Sequence, residues 1–264
     1  MSKKTNEMSQ ILSQEKLASD VYSMWLRTEE IAKEASPGQF VSVYSRDGSR
    51  VLPRPISICE VGEDKRSLRL VYRVVGKGTE EFSALKAGDS LSILGPLGNG
   101  FPLERAAGKR VFLMGGGIGI PPMVETAKAL EGDKHIIAGY RDELFLQEEL
   151  KRYGRLYTAT EDGSAGTPGN VLDAMMANGL TKEEGREPEI IFACGPKPML
   201  RAIKAYAQEM EIECWISMEE RMACGVGACL ACVCQSKEID EHSKVHNKRV
   251  CKDGPVFLST EVEL

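Results

Sequence analysis

The sequence predicts three blocks in order: an antiparallel β barrel, a doubly wound parallel α/β sheet and a small cysteine-rich C-terminal unit. Three observations predict it. Short strand-like runs broken by turn signals fill the first hundred or so residues. From about Gly108 the rhythm changes to strand then helix, which is how a parallel sheet reads. Finally, five of the eight cysteines fall between Cys224 and Cys251. At 264 residues the chain is long for one core and suits two medium units with a small third. The expected divisions are 1–104, 105–213 and 214–264.

In the first block the strand runs are "ILSQEKLASDVYSMWLRT", "GQFVSVYS", "RPISICEV", "LRLVYRVV" and "DSLSILGP", separated by "SPG", "RDGS", "GED" and "KAGD". Only "TEEFSALKAG" reads as helix there, with Thr79 as its N-cap and Gly88 past its end. In the second block, "KRVFLMG", "HIIAGYR", "LYTATE" and "EIIFACG" are buried strands. Each is followed by a helix: "IPPMVETAKALEG", "ELFLQEELKRYG", "GNVLDAMMANG" and "PMLRAIKAYAQEM".

A net charge of −5 and a pI near 5.5 exclude the clustered basic surface that nucleic acid requires. No apolar run follows the lysines of "MSKKTNEMSQ", and "VFLMGGGIGIPPMV" is too short and glycine-rich for a bilayer span. The expectation is a cytoplasmic protein that binds neither membrane nor nucleic acid. Its thiols then read as metal ligands, redox groups or core residues before disulfides.

"VFLMGGGIGIPPM" sets Gly115, Gly116, Gly117 and Gly119 between a strand end and a helix start, where bare amides and the helix dipole suit a dinucleotide pyrophosphate. Ile120 stands where the usual third glycine would be. At another strand end, Glu161 or Asp162 of "TATEDGS" could accept from a ribose 2'-hydroxyl and repel a 2'-phosphate, which favours NAD over NADP; the alternative is a plain turn. In the first block Gly76, Gly78 and Thr79 open the helix and offer amides to a phosphate, and Arg54 can add its fork of donors.

Cys224, Cys229 and Cys232 stand at C-x4-C-x2-C with Cys251 as a distant fourth, the spacing of a plant-type [2Fe–2S] site. Gly225, Gly227 and Ala228 let the loop approach a cluster closely. The rival is zinc on Cys229, Cys232, His242 and His246, which would leave Cys224 and Cys251 idle. Cys234 reads as a bystander, and Cys59 and Cys214 as buried core thiols.

Taken together, "RPIS", "GKGT", "GGGIGIPPM" and "CGPKPM" in that order resemble the ferredoxin reductase family. The resemblance implies FAD on the barrel, touching Arg54, Pro55, Ile56, Ser57, Val71, Tyr72, Arg73, Gly78 and Thr79. It sets Ser57 near the reactive edge of the ring, and Cys194, beside Gly195, near the nicotinamide. No proton-transfer residue is expected, because hydride transfer between two cofactors needs positioning above all.

With "LGPLGNGF", "ERMACGVGACLACVC" and "VCKDGPVF" added, nearly the whole chain is similar to the electron-transfer subunits of the B class of dihydroorotate dehydrogenase. That implies cluster ligands Cys224, Cys229, Cys232 and Cys251, and an FMN-containing catalytic partner in a heterotetramer. Electrons would run from dihydroorotate to NAD in pyrimidine synthesis. The 18 residues between Cys232 and Cys251 are more than the family pattern leads one to expect. The neighbouring alternatives are the small subunit of an NAD(P)H-ferredoxin oxidoreductase or sulfide dehydrogenase, and an oxygenase reductase component.

Overall fold

A computed structural model describes residues 4–240 and 244–264. The barrel strands are β1 (Thr5–Lys16), β2 (Val21–Arg27), β3 (Phe40–Val43), β4 (Arg54–Val61), β5 (Ser67–Arg73) and β6 (Ser90–Leu97), with a one-turn helix α1 (Ile31–Glu34) and a helix α2 (Lys77–Ser83) between them. They close in the order β1-β2-β5-β4-β3-β6, and every pairing is antiparallel.

Period-two alternation sorts the side chains. On β5, Leu68, Leu70 and Tyr72 enter the barrel core, whereas Val71 joins the core on the other side of the wall. Phe82 of α2 plugs one end of the barrel and meets Tyr72 edge-on with ring centroids 6.2 Å apart. Gln14 on β1 donates to the carbonyls of Phe82, Ser83 and Leu85 at the helix end.

The second sheet contains β7 (Val111–Gly116), β8 (Lys134–Tyr140), β9 (Arg155–Thr160), β10 (Thr167–Pro168), β11 (Ile190–Cys194) and β12 (Glu213–Ser217). Its helices are α3 (Pro121–Ala129), α4 (Gln147–Tyr153), α5 (Val171–Ala177) and α6 (Lys197–Glu209). A short hairpin follows, β13 (Val233–Gln235) with β14 (Asn247–Arg249), and then β15 (Val256–Leu258). The sheet order is β10-β9-β8-β7-β11-β12-β15, parallel except for β15, which returns antiparallel to β12. β7 therefore sits at the switch point, with β8 on one side and β11 on the other. The expected division at 213/214 falls inside β12, so the cysteine-rich segment leaves the sheet after Ser217 and rejoins it at β15.

α3 and α4 bury Met123, Val124, Ala127 and Leu150 in a core shared with Cys59, Val71 and Phe101 of the barrel side. On the opposite face Leu200, Ile203 and Ala207 of α6 pack with Cys232, Val250 and Cys251. No helix of the described residues is long and apolar enough to cross a membrane.

Candidate functional site: one cleft and a cysteine loop

A cleft of about 510 Å³ opens where the barrel meets the second sheet. Its walls include Arg54, Pro55, Ile56, Ser57, Val71, Tyr72, Arg73, Gly76 and Thr79, so β4, β5 and the start of α2 bring the expected flavin residues together. Gly78 lies just behind: a Cβ there would come 2.4 Å from Nε of Arg54. The guanidinium is thus packed on the opening turn of α2, where helix geometry leaves amides without partners. Arg54 also donates to the Leu52 carbonyl. Thr79 is not the N-cap. Gly76 is, and Thr79 at the third helical position accepts from the amides of Val75 (3.0 Å) and Gly76 (3.3 Å) and donates to the Gly76 carbonyl (3.0 Å). A fixed fork of donors over a helix opening fits a diphosphate.

The other wall was not foreseen. Phe40, Ile118, Ser217, Met218, Glu219, Met222 and Pro255 close the cleft. Most belong to segments far from the flavin motifs in sequence, and the one available signal was the apolar and acidic run just before the cysteine loop. Glu219 is open to the cleft but enclosed by protein on its other sides, and this desolvation pushes its carboxyl up against the pull of Arg73.

At the switch point, Cys194 is paired with Gly115 on one side and Ser217 on the other. At two of the glycines nothing larger fits: a Cβ on Gly119 would lie 2.3 Å from the Cys194 carbonyl oxygen, and one on Gly116 would lie 2.4 Å from Sδ of Met199; Gly117 has open space and a φ of +53°. Gly195 is pressed by the same methionine. Ile120 is fully buried, so the departure from the three-glycine pattern contributes core instead of open backbone. Burial pushes the Cys194 thiol up to about 12, with Glu219 adding to the shift and Ser217 opposing it. A second, smaller cavity runs from Gly117 past Arg73 to Ala18, Asp20 and Tyr140, so Arg73 borders both spaces.

Glu161 and Asp162 lie at the carboxyl edge of β9, both exposed. Asp162 accepts from the hydroxyl (2.7 Å) and amide (3.0 Å) of Ser164, which hold its carboxyl below the usual range. That carboxylate is engaged in its own turn.

The cysteine loop brings its thiols together in pairs. Cys224 is in hydrogen-bonding reach of Cys229, and Cys232 of Cys251. Among the described residues, no three Cys, His, Asp or Glu side chains converge as a single metal ion needs. Two thiol pairs suit two irons, each taking two thiolates, better than one zinc. His246 donates from Nδ1 to the Lys237 carbonyl, 2.9 Å away; His242 lies outside the described residues.

The amides of Val226 (3.4 Å) and Ala228 (3.3 Å) point at Sγ of Cys224, and that of Cys251 (3.4 Å) points at Sγ of Cys232. Burial pushes the Cys224 thiol up, but the amides and Cys229 outweigh it and bring it to about 6. The Cys251 thiol brings Cys232 to about 6 and is itself held protonated. At Cys224 and Cys232 the loop favours thiolate, the form that binds iron.

Gly225 (φ +67°) and Gly227 (φ +85°) take the left-handed turns that aim these amides. Arg249, unremarked in sequence, binds Asp253 through Nε (2.9 Å) and reaches the Gly227 carbonyl (3.4 Å), tying the loop to the Cys251 turn. Cys234 is buried on β13 and its thiol is pushed up to about 11 by burial. Cys59 and Cys214 are buried too.

Residues 219–263 match the family model of the iron–sulfur cluster binding domain of dihydroorotate dehydrogenase B, and residues 113–205 match that of the oxidoreductase NAD-binding domain. A protein of Listeria innocua is 43% identical over 261 residues, covering 96% of this chain and 97% of its own. One of Enterococcus faecalis is 42% identical over 264 residues, covering 98% of each chain. Both are named dihydroorotate dehydrogenase B (NAD(+)), electron transfer subunit. Among solved structures, an NADH-dependent reduced ferredoxin-NADP oxidoreductase, described in work on flavin-based electron bifurcation, superposes with a TM-score of 0.83. It is 30% identical, covering 97% of this chain and 90% of its own. The ferredoxin reductase of carbazole 1,9a-dioxygenase shares the fold at a TM-score of 0.63 and 19% identity, over 79% of this chain and 67% of its own.

Proposed function

The chain belongs to the family of electron-transfer subunits of NAD-dependent dihydroorotate dehydrogenase B, and from that premise we propose its sites, its route and its assembly. The proposed reaction moves electrons from the FMN of a catalytic partner subunit to NAD+, by way of a [2Fe–2S] cluster and FAD, in cytoplasmic pyrimidine (UMP) biosynthesis. The proposed assembly is a heterotetramer of two such subunits with two catalytic ones. The first 104 residues are assigned to FAD, 105–213 to NAD and 214–264 to the cluster.

When bound, a flavin exchanges a hydride with nicotinamide and single electrons with an iron–sulfur centre. The residues of this chain bind and orient. Arg54 and the opening amides of α2 would hold the diphosphate, and Ser57, Tyr72 and Arg73 line the wall that would face the ring system. Gly117 leaves backbone bare for the second dinucleotide, Gly115, Gly116 and Gly119 let strand and helix pack closely behind it, and Cys194 is kept as a neutral thiol beside it. Cys224 with Cys229, and Cys232 with Cys251, would hold the cluster. Phe40, Met218 and Met222 exclude water from the space between these stations.

The observation that carries this reading is the shared cleft, whose lining comes both from Arg54–Ser57 and from Ser217–Met222, just before the cysteine loop. The test is an anaerobic absorption spectrum of the chain co-expressed with its FMN-containing partner, recorded after NADH and, separately, after dihydroorotate. Bleaching of flavin and cluster by both donors is expected. Bleaching by NADH alone would leave a reductase with a different partner.

A further inference from the structure

Ser42 of β3 has no exposed surface, and its hydroxyl has no hydrogen-bond partner. Buried hydroxyls are nearly always satisfied, so an orphan implies a missing acceptor. Its position names one. β3 turns Val41 and Val43 into the barrel core, while Phe40 and Ser42 face outward beneath the cysteine-rich segment. There the hydroxyl lies against Gly225, the residue after Cys224, so closely that a Cβ on that glycine would come 2.8 Å from Oγ. The same Cβ would come 3.2 Å from Leu97. Thr5 and Ser9 also have unpartnered hydroxyls, but both stand on β1, away from β3 in the barrel order.

The flavin does not account for this hydroxyl. Ser42 is cross-strand from Pro55, which lines the cleft, yet Ser42 itself is absent from the cleft wall. The loop it touches is the one whose amides converge on Sγ of Cys224. Resting on the [2Fe–2S] reading above, we infer that the Ser42 hydroxyl donates a hydrogen bond to a sulfur of the cluster and so holds its reduction potential up. Reduction adds negative charge, and a buried donor aimed at sulfur stabilises the reduced form more than the oxidised one. Ser42 is thus a tuning residue, reaching from the flavin-binding barrel to the next electron station.

The test is a redox titration of the full chain with its cluster, followed by electron paramagnetic resonance, comparing Ser42→Ala and Ser42→Thr with the native protein. Ser42→Ala is expected to load its cluster normally, to titrate at a lower midpoint and to lose one deuterium-exchangeable proton coupling from the reduced signal. Ser42→Thr keeps the hydroxyl and is expected to retain that coupling. An unchanged midpoint and coupling in a fully loaded Ser42→Ala overturns the inference, as does a variant that only melts earlier. Absence of any [2Fe–2S] signal in the native chain would instead remove the cluster reading, and the inference with it.

Discussion

Gly78 shows how little room the Arg54 end of the cleft has. Its missing side chain lets the Arg54 guanidinium rest on the opening turn of α2. Gly78→Ala should displace that guanidinium without unfolding the barrel. Losing one charge-assisted contact is worth about 1.5–3 kcal/mol, so FAD should bind roughly ten- to a hundred-fold more weakly in a fluorescence titration. Unchanged affinity would mean that Arg54 does not face the diphosphate.

The buried thiols give a pH signature. The Cys194 and Cys214 thiols are raised from 9.0 to about 12 by burial. Below pH 9 both are protonated whether the chain is folded or not. Between 9 and 12 the unfolded chain releases protons that the folded one keeps, so stability falls as pH rises through that window. Urea midpoints measured from pH 8 to 10.5 should fall, and less steeply in Cys194→Ala.

Among the elements, β5 reaches the second unit through one buried cation. Its inward residues fill the barrel, while Arg69 points out to meet Glu149 of α4 at 2.7 Å and Glu60 of β4 at 3.6 Å, with only 7% of its side chain exposed. The guanidinium also stands 5.9 Å from the Trp25 ring centroid and bonds Ser23 at 2.9 Å. Arg69→Met removes the cation and leaves Glu149 without its partner, while Glu60 keeps Lys128 at 3.5 Å, which should cost about 3 kcal/mol in chemical denaturation. A cost below about 1 kcal/mol would show that water replaces the arginine. α1 makes the complementary point. Four residues give no helical period to read, and the turn is held from afar by Glu7 of β1, whose carboxylate accepts from the amides of Glu29, Glu30 and Ile31.

Across the whole molecule, the order of the stations decides how a lesion behaves. The cysteine segment leaves the second sheet after β12, touches β3 at Gly225 and returns as β15, so it is anchored on both larger units. Cys224→Ser should therefore leave a folded flavoprotein in which NADH still bleaches FAD, while acceptors that depend on the cluster receive no electrons. Stopped-flow absorbance separates the two steps. Failure of FAD reduction in the folded variant would count against the proposed order.

The sequence by itself determined what is local and periodic. Alternation marked the barrel strands and apolar runs the parallel ones. Glycines marked turns where backbone must pass close to something, and cysteine spacing marked a cluster loop. Each is a property of neighbouring residues, set by backbone sterics and repeat length. The start of α2 was read three residues late, because Thr79 makes cap-like bonds from inside the helix.

Tertiary structure alone decided what meets across long separations: Phe40 and Met222 on one cleft, Arg69 with Glu149, Arg249 with Gly227, Ser42 beneath Gly225. No local pattern encodes these meetings. They follow from barrel closure and from the return of β15 to the sheet, which fix which outward faces are pressed together and which buried polar groups must find partners there.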